Sequence, residues 1–129
     1  MIQDLGKNEA FQYGNDAIVI RVFGKSIIGG RILEVDGYEP EYIRMGQLII
    51  RDEKNEVSKP LGVTGGKYDA LPEGWEYEGV AKSTVSKTEP IVGVMYEGEV
   101  NDVASPYPIT AELKAALKTA LPELAFKHS

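Results

Sequence analysis

Three acidic side chains at close spacing, Glu97, Glu99 and Asp102, are the first candidates for chemistry in this chain. Carboxylates are the preferred ligands of hard cations, and a pair of them performs acid–base catalysis in glycoside hydrolases. Alternating acids on a strand are more often the solvated face of a sheet. We therefore predict neither a metal site nor a catalytic pair here, and an enzyme that uses Glu97 and Glu99 stays a weaker alternative.

Thiol and imidazole chemistry is almost unavailable. The chain has no cysteine, which excludes disulfides, thiolate metal sites and cysteine nucleophiles. Its single histidine, His128, is the penultimate residue, and chain termini are commonly disordered, so we do not expect it to act as a catalytic base. Gly62 to Lys67 lacks the full phosphate-loop pattern and a following helix, so we predict a turn. We expect no catalytic residue and no cofactor.

Length and composition predict one globular domain. The chain has 129 residues, of which 43% are hydrophobic and 26% are charged, as is typical of such domains. Its net charge is −6, and residues 61–109 alone carry −5, which disfavours binding to nucleic acid. No apolar run reaches the roughly 20 residues that span a bilayer, and we find no secretory signal pattern. We therefore expect a soluble protein made in the cytoplasm, without a membrane partner.

Most of the chain reads as β-structure, with one helix near the carboxyl end. Glycine and proline punctuate short β-branched runs, which predict strands at 17–23, 27–36 (bent at Gly29-Gly30), 42–51, 77–86 and 91–100. The charged segment 52–76 predicts a long loop with at most one short strand, at 61–64.

The predicted helix begins after Thr110, a good N-cap, and ends at Leu121, because Pro122 disfavours helical geometry there. One apolar stripe follows helical spacing and comprises Leu113, Ala116, Leu117, Ala120 and Leu121. The tail after it places Leu124 and Phe126 on one side of a short extended segment.

Two parts of the chain are candidates for contact with another protein. Residues 17–23 are apolar on both faces apart from Arg21, so they form either a core strand or an arm that adds to the sheet of another chain. The polar residues 1–16 before them are predicted to be an arm ordered on binding, and residues 17–129 a single domain. Trp75 is either a buried anchor or an interface residue.

The chain from about residue 43 onwards carries an ordered set of small motifs. They are Gly46-Gln47-Leu48, Lys67-Tyr68-Asp69-Ala70-Leu71, Tyr77-Glu78-Gly79-Val80, Pro90-Ile91-Val92-Gly93-Val94-Met95, Gly98-Glu99-Val100-Asn101 and the helix and tail at 109–126. In this order they resemble the head decoration (capsid-stabilising) proteins of tailed bacteriophages, of the lambda-like type, and the related head fibre proteins. The resemblance covers roughly residues 43–126.

This resemblance implies a small β-rich fold, of β-barrel or β-tulip type, that forms a homotrimer on the outside of an expanded capsid. There it would bind the major capsid protein and stabilise its lattice, without a cofactor. On this hypothesis Ile18, Ile20 and Val22 form a face that meets the capsid or a neighbouring subunit, and Trp75 and Tyr77 supply contacts from a loop. A carbohydrate-binding β-module on a virion, using Tyr68, Trp75 and Tyr77, is the alternative.

Overall fold

The computed structural model describes residues 19–128, which form thirteen short strands and one helix. The elements in chain order are β1 (Ile20–Phe23), β2 (Arg31–Ile32), β3 (Tyr42–Ile43), β4 (Leu48–Asp52), β5 (Val57–Pro60), β6 (Val63–Thr64), β7 (Lys67–Tyr68), β8 (Glu76–Ala81), β9 (Val85–Ser86), β10 (Ile91–Val92), β11 (Val94–Met95), β12 (Gly98–Asn101), α1 (Ala111–Ala120) and β13 (Leu124–Lys127). The predicted class, mostly β with one helix near the carboxyl end, is confirmed. The arm predicted at 1–16 lies outside the described residues.

The largest sheet has four antiparallel strands in the order β11-β8-β4-β5. Its inner strand β4 is apolar on both faces, and Leu48, Ile49 and Ile50 are all fully buried. Leu48 and Ile50 belong to one hydrophobic cluster, whereas Ile49 belongs to a second. The strand therefore separates two cores, which explains why its sequence does not alternate between apolar and polar residues.

The larger core is closed by the carboxy-terminal segment. Leu117 of α1, Leu121 directly after it, and Leu124 and Phe126 of β13 pack with Leu48 of the four-stranded sheet. The smaller core joins Ile49 to residues of β3, β8, β10 and β11 and of the segment between β2 and β3, which are Leu33, Tyr38, Ile43, Ala81, Val92 and Val94.

A second sheet has three strands in the order β1-β12-β13. β12 pairs antiparallel with β1 and parallel with β13. The β1 pairing contains a bulge between Ile20, which faces Val100, and Val22, which faces Glu99. A bulge inserts an extra residue into one strand and so changes the face on which the following side chains lie.

Residues 20–33 run antiparallel along residues 90–101, and we call this pair of segments the edge ribbon. It consists of the β1–β12 and β2–β10 pairings, joined by a bridge between Ser26 and Met95. Two glycines allow the segments to approach closely, because a Cβ at Gly24 would collide with the carbonyl oxygen of Glu97, and one at Gly98 with that of Val22.

The prediction of a long loop at 52–76 is wrong. The segment forms two hairpins, β4–β5 and β6–β7, before β8 begins. Asp52 closes the first turn by accepting hydrogen bonds from the backbone N–H and the side-chain amide of Asn55. Gly65 and Gly66, with φ of 60° and 78°, form the second turn, so the turn predicted at 62–67 is confirmed.

Four predicted strands are correct in position but too long, and one of them, 77–86, is divided into β8 and β9. The segment 42–51 is divided into β3 and β4 at Gly46, which has φ of 90°. The segment 91–100 is divided into three strands, and the N–H groups of Tyr96 and Glu97 both donate to the carbonyl oxygen of Lys25 at the second break. The segment 27–36 retains only β2 after the bend at Gly29-Gly30.

The helix and tail are confirmed. Thr110 caps α1, and its side-chain oxygen accepts from the Leu113 N–H at 3.2 Å. Leu117 and Leu121 of the predicted stripe are buried, whereas Ala116 and Ala120 lie exposed at its margin. α1 is too short to cross a membrane, and the described residues contain no other helix.

Candidate functional site

The edge ribbon displays most of the exposed apolar surface found among residues 19–128. Five of the seven large hydrophobic side chains that are exposed there belong to it, and these are Val22, Phe23, Ile28, Ile32 and Ile91. Ile28, at the turn before Gly29, is 99% exposed, and Ile32 lies directly opposite Ile91 in the β2–β10 pair. Exposed apolar side chains gathered on one pair of segments are candidates for contact with another molecule.

The predicted contact face on β1 is only partly present. Ile18 lies outside the described residues. Ile20 is buried in the larger core, whereas Val22 is 48% exposed. In a regular strand the two side chains would share a face, but the bulge between them turns one inward and the other outward. Val22 is therefore available to a partner, and Ile20 is part of the chain's own core.

Sequence reasoning missed Phe23, Ile28, Ile32 and Ile91 as surface residues. A signal was present for Ile28, because it precedes the glycine pair that bends the chain and so stands at the tip of a turn. No such signal existed for Ile32 or Ile91, since each sits in an apolar run that reads equally well as a buried strand.

A buried carboxylate fastens the ribbon to the four-stranded sheet. The side chain of Glu78 on β8 is 7% exposed and accepts from Arg31 of β2 through Nη2 at 2.7 Å and Nε at 3.0 Å. Ser58 Oγ donates to the same carboxylate at 3.0 Å and accepts from Arg51 Nη1 at 2.9 Å. The ribbon is thus held by charge-assisted hydrogen bonds, while its outer apolar side chains stay free.

The two aromatic residues predicted to make loop contacts, Trp75 and Tyr77, are both half-buried against the larger core. The ammonium of Lys59 lies 4.4 Å from the centre of the Trp75 ring, a distance typical of a cation–π contact. Burial raises the pKa of Tyr77. Both rings therefore support the fold, and each keeps an exposed part.

Tyr77 also lines an open cavity of about 440 Å³ between the β6–β7 hairpin and the first turns of α1. Tyr68 shares this cavity with it, and Asp69 and Glu112 supply carboxylates to its wall. Trp75 does not contribute to the wall, so the structure brings together two of the three aromatic residues considered for carbohydrate binding.

Tyr68 is held firmly in place. Its hydroxyl oxygen accepts from the Leu48 N–H at 3.0 Å, and its ring makes an edge-to-face contact with Tyr107 at 5.3 Å between centroids. Burial raises the pKa of its hydroxyl above the usual range. Tyr68 is thus a fixed wall of the cavity.

Two of the three acidic residues considered first, Glu99 and Asp102, form ion pairs, whereas Glu97 forms none with any residue from 19 to 128. Glu99 lies 3.4 Å from the ammonium of Lys127. Asp102 contacts Lys114 Nζ at 2.5 Å and His128 Nδ1 at 2.8 Å. Both contacts hold the pKa of this carboxyl below its usual range, and the contact with Lys114 has the larger effect. Within residues 19–128 no three acidic or histidine side chains are grouped so as to hold a metal ion.

No protein-family model matches this chain, and comparison with curated proteins and with solved structures gives no significant match. The likeness to phage decoration proteins therefore rests on the order of residue motifs described above.

Proposed function

We propose that this protein is a capsid decoration protein, which binds the outer surface of a phage head and stabilises the lattice of the major capsid protein. The observation that carries the proposal is the edge ribbon, with five exposed apolar side chains on one pair of segments. A decoration protein acts by adhesion, so it needs apolar area and free backbone groups at its surface.

The position of β1 in its sheet supports the same proposal. β1 is the end strand of the order β1-β12-β13, so one of its edges is not paired within that sheet. Unpaired N–H and C=O groups at such an edge can accept a strand from another protein, while neighbouring side chains give specificity. In this proposal the strands form a β-barrel or β-tulip-like decoration domain that trimerises on the virion exterior, and residues 1–16 add a capsid-binding arm.

The test uses expanded heads that lack this protein. The full chain is mixed with such heads, and bound protein and the temperature of head disruption are measured after sedimentation. We expect saturable binding and a higher disruption temperature. The double variant Phe23→Ser with Ile28→Ser should bind at least about ten-fold more weakly, because it removes apolar area that only a partner would bury.

Val103→Ser is the matched control, since Val103 is 71% exposed and lies outside the ribbon. It should bind heads like the unmodified protein. If saturating unmodified protein neither sediments with heads nor changes their stability, the proposed function is wrong. Equal weakening by the ribbon and control variants would remove the ribbon from the proposal.

A carbohydrate-binding module is the second candidate, because Tyr68 and Tyr77 meet in one cavity beside two carboxylates. Binding pockets combine aromatic walls with a few polar groups in this way. A glycan array discriminates the two functions. Selective binding that is lost in Tyr77→Ala would favour the carbohydrate module, whereas an array without signal would favour decoration.

A further inference from the structure

The open cavity between the β6–β7 hairpin and α1 combines an apolar lining with charged side chains. Its half-buried lining residues are two tyrosines and two leucines, Tyr68, Leu71, Tyr77 and Leu113. The Tyr68 hydroxyl already accepts from the Leu48 N–H, so Tyr68 presents its ring to the cavity. A ligand that fills this space therefore meets aromatic and aliphatic surface.

The charged side chains of the cavity wall have a net negative charge. Asp69 and Glu112 supply two carboxylates and Lys67 supplies one ammonium, and all three residues are exposed. None of them forms an ion pair with any residue from 19 to 128. Asp69 is fixed against Gly62, because its N–H donates to the Gly62 carbonyl at 2.8 Å and a Cβ at Gly62 would lie 2.5 Å from its Oδ2. Both carboxylates are thus available to a ligand.

The part of the chain that supplies most of this wall is acidic as a whole. Residues 61–109 have a net charge of −5, out of −6 for the whole chain. Such a field attracts cationic ligands and repels anionic ones. A cation that lies over the face of a tyrosine ring is stabilised further, by the electron density of the ring. Charge and aromatic surface therefore both favour a ligand with a positive charge.

The aliphatic share of the wall indicates what carries that charge. The aliphatic lining residues are Ala70, Leu71, Pro108, Leu113 and Ala116. A sugar would place hydroxyl groups against them without hydrogen-bond partners, which costs free energy. An arginine side chain has an aliphatic stem that packs on apolar surface and a planar cationic head that stacks on aromatic rings and donates to carboxylates.

We propose that this cavity binds an arginine side chain of a partner protein. The stem would lie against Leu71 and Leu113, and the guanidinium would face Tyr77 and donate to Asp69 and Glu112. The cavity thereby receives a ligand other than the sugar of the second candidate function. The proposal does not depend on the decoration function, which the edge ribbon carries with other residues.

A chemical-shift titration of the isotope-labelled full chain tests the arginine site. The probe is N-acetyl-arginine amide, and its matched control is N-acetyl-citrulline amide, which has nearly the same shape without the charge. The arginine probe should give saturable shifts at the amides of Tyr77 and Leu113, with a Kd of about 1–10 mM for a single side chain. The citrulline probe should bind at least about ten-fold more weakly, because it cannot form charge-assisted hydrogen bonds.

Variants of the cavity wall test the sign of the charge. Asp69→Asn with Glu112→Gln should bind the arginine probe at least about ten-fold more weakly, whereas Lys67→Gln should bind it about two- to three-fold more tightly. Glu73→Gln with Glu123→Gln removes the same two charges at exposed positions outside the wall and should bind like the unmodified protein. An amide spectrum with unchanged dispersion checks that each variant is folded.

The absence of saturable shifts in the millimolar range would overturn the arginine site. Equal binding of the two probes, or arginine binding that survives the loss of both carboxylates, would also overturn it. Glucosamine is titrated alongside, and tighter binding of this amino sugar than of the arginine probe would assign the cavity to a sugar instead. These results leave the decoration function in place, because that function is wrong only if the protein does not bind and stabilise heads.

Discussion

β1 and β13 are four-residue strands that flank the same strand, β12, yet they treat their apolar side chains in opposite ways. Leu124 and Phe126 of β13 are almost fully buried, whereas Val22 and Phe23 of β1 are about half exposed. The difference lies in what covers each strand. Leu117 of α1 and Leu121 directly after it pack on the β13 side, whereas no described element covers Val22 and Phe23 at the end of β1, although Ile20 at its start is buried.

Pairing with β12 therefore does not decide whether the side chains of a strand are buried. An element stacked on the sheet does, as α1 is on the β13 side. Strand propensity places a residue in a ladder, but only an element stacked on the sheet removes its side chain from water. On the β13 side the helix belongs to the same chain. On the β1 side we propose that a partner provides the cover.

Truncating a phenylalanine on each of the two strands should reveal the difference in cover as a difference in stability. Phe126→Ala should lower the free energy of unfolding by about 3–4 kcal/mol, because it opens a cavity in the larger core. Phe23→Ala should cost less than about 1 kcal/mol, because the side chain is already half in water. Urea unfolding followed by tryptophan fluorescence measures both. Equal losses would mean that β1 is covered within the chain.

A second prediction concerns how the uncovered ribbon stays attached. Glu78→Gln removes the charge that holds Arg31 and should cost about 2 kcal/mol, with faster hydrogen exchange at the Leu33 amide, which bonds the Pro90 carbonyl.

The control for it is Glu53→Gln, which breaks the pair of Arg51 with a carboxylate that is 76% exposed. That variant should cost less than about 0.5 kcal/mol. If both variants lose the same small amount, the ribbon is anchored by other contacts.

A smaller effect is expected from weakening the helix that covers β13. Thr110→Ala removes the side-chain oxygen that caps the Leu113 N–H and should cost about 1 kcal/mol. Thr119→Ala, an exposed change within the same helix, should stay within about 0.5 kcal/mol of the unmodified protein. Thermal unfolding compares the two, and a larger loss in Thr119→Ala would contradict the role of the cap.

The smallest effect depends on pH. Asp102 ties α1 to the tail after β13 through Lys114 and His128, which hold its pKa below the ordinary value of 3.8. The folded protein therefore favours the ionised carboxylate more than the unfolded chain does. The stabilisation is complete above the ordinary pKa and is lost as the pH falls through the lowered one.

Asp102→Asn should accordingly be less stable than the unmodified protein at about pH 6, and the difference should shrink towards about pH 2.5. Thermal unfolding at the two pH values measures it. A difference that grows on acidification would contradict the lowered pKa.

Local signals explain which parts of the fold were predictable. Thr110, Pro122 and the spacing of Leu117 and Leu121 specify the helix, because caps, ring geometry and helical periodicity act over a few residues. The turn at Gly65-Gly66 and the bend at Gly29-Gly30 are equally local, since glycine alone adopts positive φ without strain.

The prediction of a loop at 52–76 is wrong because the structure of this segment depends on contacts that are not local. The charged run at 53–56 forms a tight turn. The short strands that follow gain their stability from pairing with β4 and with each other, which no window of sequence displays. The burial of Glu78 was equally unpredictable, because its carboxylate is buried against Arg31, which lies far away in the chain.

The sequence alone determined the class of the fold, the bounds of the helix, the turns at glycine pairs and the lack of thiol chemistry, because each follows from local geometry or from composition. Tertiary structure alone decided which apolar side chains reach the surface. Ile20 and Val22 are both β-branched and stand two residues apart, as two buried neighbours on one face of a strand would. Only the bulge opposite β12 places Ile20 in the core and Val22 towards solvent.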